Sequence, residues 1–198
     1  NLFFDIFLAR LLTPADYGMV GMLTIFSLIA GSIQESGFIS ALINKKDIKH
    51  EDYNAVFWFS ILTSLCLYTI LFFCAPLIAR FFHQPELTAL ARYSFIGFVI
   101  ASTGITHSAY LYKNLIVKQR AFLNMIALII SGSVGVTMAY NGYSYWGIAT
   151  QSIIYVSTIM IGYWFISPWR PTFHLNFNPL KGMIAFSSKM LATYIFYH

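Results

Sequence analysis

The chain has 198 residues, of which 58% are hydrophobic and 10% are charged. A soluble domain carries about 25% charged residues, so this composition excludes an ordinary soluble domain and indicates a protein that lies mostly in a bilayer. The net charge of +5 does not indicate nucleic-acid binding, because the basic residues lie in short connections between apolar stretches, where they set membrane topology.

Five apolar stretches are long enough to cross a membrane, which takes about 20 residues in a helix. In chain order they are residues 19–43, 55–79, 93–112, 122–140 and 145–166. Residues 1–12 and 181–198 are also apolar, and we interpret them as the end of a preceding span and the beginning of a following one. The sequence therefore predicts an all-α, polytopic transmembrane helix bundle over residues 1–198, which we expect to be an internal piece of a longer protein.

The connections carry signals for the ends of helices. Before the first full span, Thr13 is placed to cap a helix, Pro14 suits its first position, and Asp16 is placed to reach back to the cap. Asn141-Gly142 predicts a tight turn between two spans.

The basic residues of the connections predict the orientation of the chain in the membrane. Lysine and arginine accumulate in cytoplasmic connections. Alternate connections hold eight basic residues, which we expect to be cytoplasmic: Lys45, Lys46, Lys49, Lys113, Lys118, Arg120, Arg170 and Lys181. The opposite set holds three, which we expect on the outer face: Arg10, Arg80 and Arg92.

Small residues recur at helical spacing on two of the predicted spans. One stripe is Gly97, Ala101, Gly104 and Ser108, and the other is Ser131, Gly135 and Ala139. Such stripes let helix backbones approach closely within a membrane, so they predict a compact bundle.

Enzyme motifs are absent from the sequence. It has no P-loop, no dinucleotide-binding glycine pattern, no zinc-protease helix and no Cys-x-x-Cys pair. We therefore expect no catalytic residue, no metal site, no cofactor and no nucleic-acid partner.

Ionisable side chains within the apolar stretches are the candidate substrate or coupling residues, because a charge in hydrocarbon is costly. They are Asp5, Glu35, His107 and Lys189, joined by Arg10 beside the first connection. Glu35 could couple transport to protons, and Lys189 could attract an anionic substrate into a polar lumen. The guanidinium of Arg10 could bind a phosphate group through two nitrogens.

Each candidate also has a structural interpretation. Glu35 could pair with a lysine of the next connection, Lys189 could snorkel to the interface, and Arg10 could anchor lipid headgroups. Asp5 could pair with Arg10, and His107 could pack and form hydrogen bonds inside the bundle.

Residues 8–18, Leu-Ala-Arg-Leu-Leu-Thr-Pro-Ala-Asp-Tyr-Gly, resemble the first-loop signature of a family of bacterial polysaccharide exporters. These are the Wzx-type lipopolysaccharide (O-antigen) flippases of the multidrug/oligosaccharidyl-lipid/polysaccharide superfamily. Later segments agree in order: Gly37-Phe38, Phe57-Trp58, residues 75–82, residues 142–146 and residues 169–171. One departure follows residue 110, where the family often has Leu-x-Arg and this chain has Leu-Tyr-Lys, so Lys113 receives no specific role.

The resemblance implies a whole protein of about 12 to 14 helices in two lobes around a central cavity, with this chain forming most of the N-terminal lobe. It implies that polyprenyl-pyrophosphate-linked oligosaccharide is flipped across the bacterial cytoplasmic (inner) membrane by alternating access. The implied partners are this substrate, membrane lipids, and the polysaccharide polymerase and chain-length machinery.

Two other functions stay open on the sequence. A drug/cation antiporter of the same superfamily would favour acidic lumen residues, and Lys189 argues against it. A membrane enzyme of surface-polysaccharide assembly, such as a polymerase, would carry a large outer loop, whereas the connections predicted to lie outside are short.

Overall fold

A computed structural model of the chain describes residues 12–35, 42 and 47–173. The ordered elements of this part are helices in the order α1 (Pro14–Glu35), α2 (His50–Phe81), α3 (Leu87–Ser102), α4 (Ile105–Lys113), α5 (Val117–Tyr140) and α6 (Ser144–Ile166). Helices α1, α2, α5 and α6 are each long and apolar enough to cross a membrane, and α3 with α4 forms a fifth candidate span. The predicted all-α, polytopic fold class is confirmed, and the predicted partial spans lie outside the described residues apart from Leu12.

The stretch predicted as one span over residues 93–112 is two helices, α3 and α4, which meet at an angle of 43°. Their junction is Thr103-Gly104. The hydroxyls of Ser102 and Thr103 each bond to a carbonyl three residues earlier, Val99 and Ile100, at 2.7 Å. Such side-chain hydrogen bonds compete with the backbone hydrogen bonds of the helix. Gly104, which follows, disfavours the helical conformation because it has no side chain. The helix therefore breaks here.

The predicted helix start at Thr13 is confirmed. The Thr13 backbone N–H donates to Asp16 Oδ2 at 2.8 Å, and the Thr13 hydroxyl donates to the same oxygen at 2.7 Å. The Asp16 backbone N–H donates in return to Thr13 Oγ1 at 3.4 Å. The two side chains thus supply partners to backbone groups that the first helical turn leaves unpaired.

The predicted turn at Asn141-Gly142 is also confirmed, and it ends α5 in a Schellman motif. Gly142 has φ +83°, its N–H donates to the Ala139 carbonyl, and the next N–H, of Tyr143, donates to the Met138 carbonyl. This geometry requires a left-handed residue directly after the helix, which glycine adopts without a steric penalty.

Helices α2 and α4 end in the same motif without glycine. His83 after α2 has φ +56°, and Leu115 after α4 has φ +54°. In each case the N–H of the following residue reaches back five residues, from Gln84 to Ala79 and from Ile116 to Leu111. A side chain in this conformation costs about 1 to 2 kcal/mol, so both turns are held under strain.

Helix α2 contains a proline, Pro76, within its 32 residues. Proline has no N–H, so the carbonyl four residues earlier, that of Phe72, loses its helical partner. Arg92 of α3 supplies a donor: its Nε lies 3.4 Å from the Phe72 oxygen, and its guanidinium lies 4.1 Å from the centre of the Phe72 ring. The arginine therefore satisfies a backbone group that lipid could not.

Helix α6 lies at the centre of the bundle, where it packs most extensively against α5 and also contacts α3, α1 and α4, while α2 packs mainly along α3. The two predicted small-residue stripes differ in how they contact α6. Gly135 of α5 faces Gly147 of α6, where an added Cβ would lie 3.2 Å from the Gly135 carbonyl oxygen. The other stripe is close to α6 at Gly104 but not at Gly97, because nothing lies within 4 Å of a Cβ added there; Gly97 and Ala101 line a groove of about 320 Å³ between α1, α3 and α6.

Candidate functional site

The break between α3 and α4 lies against α6. The Thr103 carbonyl at the break accepts a hydrogen bond from Trp164 Nε1 at 3.2 Å. A Cβ added at Gly104 would lie 1.9 Å from the sulfur of Met160, so any larger residue there would displace the methionine. The joint is therefore fitted closely to one face of α6.

His107 lies one turn after the break and is fully buried. Its ring stacks on Trp164 of α6 with 4.7 Å between ring centres, and Phe57 of α2 lies edge-on at 6.2 Å. The third aromatic neighbour is Trp169, at 5.2 Å, from the segment that follows α6. The interior position that the sequence offered as one interpretation of His107 is therefore what the structure has.

Several polar atoms around His107 are buried without a hydrogen bond of standard geometry to a described residue. They are both ring nitrogens of His107, Thr106 Oγ1, Ser167 Oγ and Trp169 Nε1. Buried polar atoms are normally paired, and an unpaired one costs about 1 to 3 kcal/mol. These atoms therefore carry a desolvation cost that the described residues do not offset.

Residues 167–173, which we call the connector, fold back from the end of α6 onto the beginning of α2. Trp169 is only 7% exposed and packs against His50, Tyr53 and Phe57, with ring centres 5.7, 5.9 and 5.8 Å away. Tyr53, Phe57 and Trp169 thus belong to one protein core.

Hydrogen bonds hold the backbone of the connector at Thr172. The Thr172 N–H donates to Asn54 Oδ1 at 2.9 Å, and Trp58 Nε1 donates to the Thr172 carbonyl at 2.8 Å. The ring of Phe173 lies 5.3 Å from that of Trp58. Asn54 and Trp58 of α2 thus pair with the N–H and the carbonyl of Thr172, and we call this pair of hydrogen bonds the clasp.

A continuous series of contacts joins the connector to the break. Trp169 touches His107, while Trp164 touches both His107 and the Thr103 carbonyl. The position of the connector is therefore linked through these contacts to that of the short helix α4. The arrangement offers a joint and a polar interior, and it holds no paired acid and base for catalysis within the described residues.

Hydroxyl pairs link the helices on the other side of the break. Ser64 Oγ of α2 donates to Ser102 Oγ of α3 at 2.9 Å, and both residues are buried. Tyr93 of α3 and Thr150 of α6 share a hydrogen bond of 3.1 Å. Polar side chains commonly join helices in this way in membranes.

Of the five candidates named from the sequence, only His107 can be placed. Asp5, Arg10 and Lys189 lie outside the described residues, and Glu35 is the last residue of α1 with its side chain also outside them. Their roles in substrate binding or coupling thus stay predictions. The sequence did not indicate these partners of His107. Trp169 is distant from it in the sequence, and the break at Thr103-Gly104 carries no charge that would mark it.

Basic residues assigned to the cytoplasmic side gather at one end of the bundle. Arg120 of α5 lies with its guanidinium 3.3 Å from the centre of the Tyr112 ring, and its NH2 donates to Tyr163 Oη at 3.1 Å. Arg170 of the connector donates to the carbonyls of Ser167 and Trp169. Because α4, α5 and α6 meet here, this end matches the predicted grouping of alternate connections.

These features define a multi-pass membrane protein built of apolar helices, with one span broken at Thr103-Gly104, one turn before a buried histidine. The profile of a family described as polysaccharide biosynthesis protein matches residues 7–197. The chain belongs to this family, and the resemblance to bacterial polysaccharide exporters is confirmed.

Three curated relatives are similar over most of the chain. The teichuronic acid biosynthesis protein TuaB of Bacillus subtilis (strain 168) is 24% identical over 86% of this chain and 35% of its own length. The succinoglycan biosynthesis transport protein ExoT of Rhizobium meliloti (strain 1021) is 24% identical over 95% of this chain and 38% of its own. The lipopolysaccharide biosynthesis protein WzxC of Escherichia coli (strain K12) is 21% identical over 93% and 38%.

The chain thus spans little more than a third of the length of these relatives. No solved structure matches it. The family and the apolar helices make it a bacterial multi-pass membrane protein of this polysaccharide biosynthesis family.

Proposed function

We propose that this chain is most of the first lobe of an exporter that flips polyprenyl-pyrophosphate-linked oligosaccharide from the cytoplasmic to the outer leaflet of the cytoplasmic membrane. The observation that carries the proposal is the family match over residues 7–197 on a bundle whose helices reach membrane length. A relative described as a transport protein, ExoT, covers 95% of the chain.

The physical problem that such a protein solves is the transfer of a charged, hydrated headgroup through hydrocarbon. A cavity lined by polar and cationic side chains lowers that barrier. In this proposal Lys189 and Arg10 provide cations for the pyrophosphate, while Glu35 and Asp5 are the carboxylates available for ion coupling. His107 acts in the joint rather than on the substrate, because it is enclosed by aromatic rings.

The proposed protein is a transporter and performs no chemical step. Its partners are the lipid-linked saccharide and membrane lipids, together with the polymerase and chain-length proteins that consume the flipped product. The family membership supports transport in preference to an enzyme of surface-polysaccharide assembly.

A deletion strain tests the proposal. Loss of the protein should abolish the surface polysaccharide on gels and leave lipid-linked oligosaccharide accessible only from the cytoplasmic side of the membrane. A strain without the protein that displays normal amounts of the polysaccharide would refute the function. Complementation by Lys189→Arg but not by Lys189→Glu would support a cationic lumen, whereas export by the glutamate variant would remove that part of the proposal.

The joint is tested in the same strain. We expect Trp169→Ala to reduce export strongly at equal protein level, since it uncouples the connector from His107, and Trp169→Phe to retain most of it. Phe165→Ala is the matched control, because Phe165 is an aromatic residue of the same region that is 83% exposed. Equal export by the two alanine variants would show that Trp169 has no part in the transport cycle.

A further inference from the structure

We propose that a pocket between the end of α2 and the start of α3 binds the phosphodiester headgroup of an anionic membrane phospholipid. The pocket has a volume of about 480 Å³, which lies within the usual range for small-ligand sites. Its lining combines two basic side chains, one hydroxyl and three apolar residues: Arg80, His83, Thr88, Pro76, Ala79 and Pro85.

A second arginine lies directly below this pocket. Arg92 follows Thr88 by one turn on the same face of α3, and Phe72, which it contacts, precedes Pro76 by one turn on α2. The ring of Phe72 and its carbonyl hold the guanidinium at Nε, so the outer edge of the guanidinium, with its two terminal nitrogens, keeps a fixed position. A guanidinium held in this way matches two phosphate oxygens.

The charges around the pocket favour an anion. Neither Arg80 nor Arg92 pairs with a carboxylate within the described residues. The nearest acid in the connection, Glu86, accepts a hydrogen bond from Tyr145 Oη at 2.7 Å and is thereby directed towards α6. Arg80 therefore lines the pocket, and Arg92 lies one turn beyond the lining residue Thr88, without a carboxylate partner for either guanidinium in the described part of the chain.

The side chains beside the pocket indicate a lipid rather than a soluble anion. Phe73, Leu77 and Phe81 of α2 are 72%, 62% and 76% exposed, as expected of residues that face acyl chains. Arg80 lies at the end of the same helix, where the headgroups begin. A phospholipid seated here would place its chains along α2 and its phosphate between Arg80 and Arg92.

Binding can be measured on the full-length protein in detergent by native mass spectrometry, with phosphatidylglycerol as probe and diacylglycerol as its phosphate-free match. We expect saturable binding of phosphatidylglycerol only. Each of Arg80→Gln and Arg92→Lys should weaken it about tenfold, the effect of one charged hydrogen-bonded contact. Lys118→Gln, an exposed cation at the other end of the bundle, is the matched control and should bind as the unaltered protein does.

These binding measurements test the phospholipid site independently of the proposed transport function. Equal affinity of Arg80→Gln and the unaltered protein would overturn the proposal. Because Arg80 is exposed, we expect this variant to fold even if the Arg92 variant does not. Full competition by millimolar inorganic phosphate would make the pocket a site for soluble anions. Competition by undecaprenyl pyrophosphate at equal concentration would make it a substrate site, and either result contradicts the phospholipid.

Discussion

Single backbone positions decide how three of the helices end. Gly142, His83 and Leu115 all occupy the left-handed region after a helix, but only the glycine does so without strain. The turn at Gly142 could be predicted because Asn-Gly is a recognised signal. The turns at His83 and Leu115 could not, since neither position carries a glycine or an asparagine. Backbone hydrogen bonds from Gln84 to Ala79 and from Ile116 to Leu111 close these two turns.

The three turns give a prediction at the level of single residues. Gly142→Ala should lower the free energy of unfolding by about 1 kcal/mol, because it places a Cβ in the left-handed region. Leu115→Gly should not lower it, although glycine disfavours the folded state elsewhere, since it removes the same strain at a side chain that is 81% exposed. Thermal unfolding of the purified protein in detergent measures both, and equal destabilisation by the two variants would contradict the strain.

At the level of helices, the sequence predicts where apolar stretches lie but not where they bend. The break at Thr103-Gly104 has no charge and no proline, and the hydrophobicity of residues 93–112 is continuous across it. Its causes are two hydroxyls that bond to nearby carbonyls and a face of α6 that fits the bend. Pro76 is the reverse case, because it lies inside α2 without ending it.

The pairing of Pro76 with Arg92 can be tested by a double-mutant cycle. Arg92→Gln should destabilise the protein by about 1 to 2 kcal/mol, because it leaves the Phe72 carbonyl unpaired. In the background of Pro76→Ala the same change should cost about 1 kcal/mol less, since alanine restores the backbone donor to that carbonyl. If the two changes in the free energy of unfolding, measured in detergent, are strictly additive, Arg92 does not replace the backbone donor that Pro76 lacks.

The two small-residue stripes make a second prediction about helix packing. Gly97→Ala should leave stability unchanged or raise it by up to about 1 kcal/mol, because alanine favours the helix and nothing lies near the new methyl group. Gly147→Ala should lower stability, since its methyl group would press on the Gly135 carbonyl oxygen at 3.2 Å. If both alanine variants unfold at the same temperature, the contact of α5 with α6 is not close.

At the scale of the whole molecule, the described basic residues fall into two groups at opposite ends of the bundle. The connector and the beginnings of α2 and α5 share one end with Arg120 and Arg170, while Arg80 and His83 lie at the other. This grouping was predictable, since alternate connections must share a face when each span crosses once. The clasp was not, because Asn54 and Thr172 carry no pattern that links them.

Labelling of single cysteines tests the orientation. With Cys66 and Cys74 replaced by alanine, cysteines at Lys49 and Lys118 should react with a membrane-impermeant maleimide only after the cells are opened. A cysteine at Gln84 should react in intact cells. Labelling of positions 49 and 118 from opposite sides would overturn the topology on which the proposed direction of flipping rests.

The clasp also bears on the order in which the protein is made. It joins Asn54 to Thr172, 118 positions apart, so the beginning of α2 has to wait in the membrane until the sixth helix has emerged from the ribosome. Only then can Trp169 enter its core with Tyr53 and Phe57. The described bundle would thus be closed last by the short segment that follows its final helix.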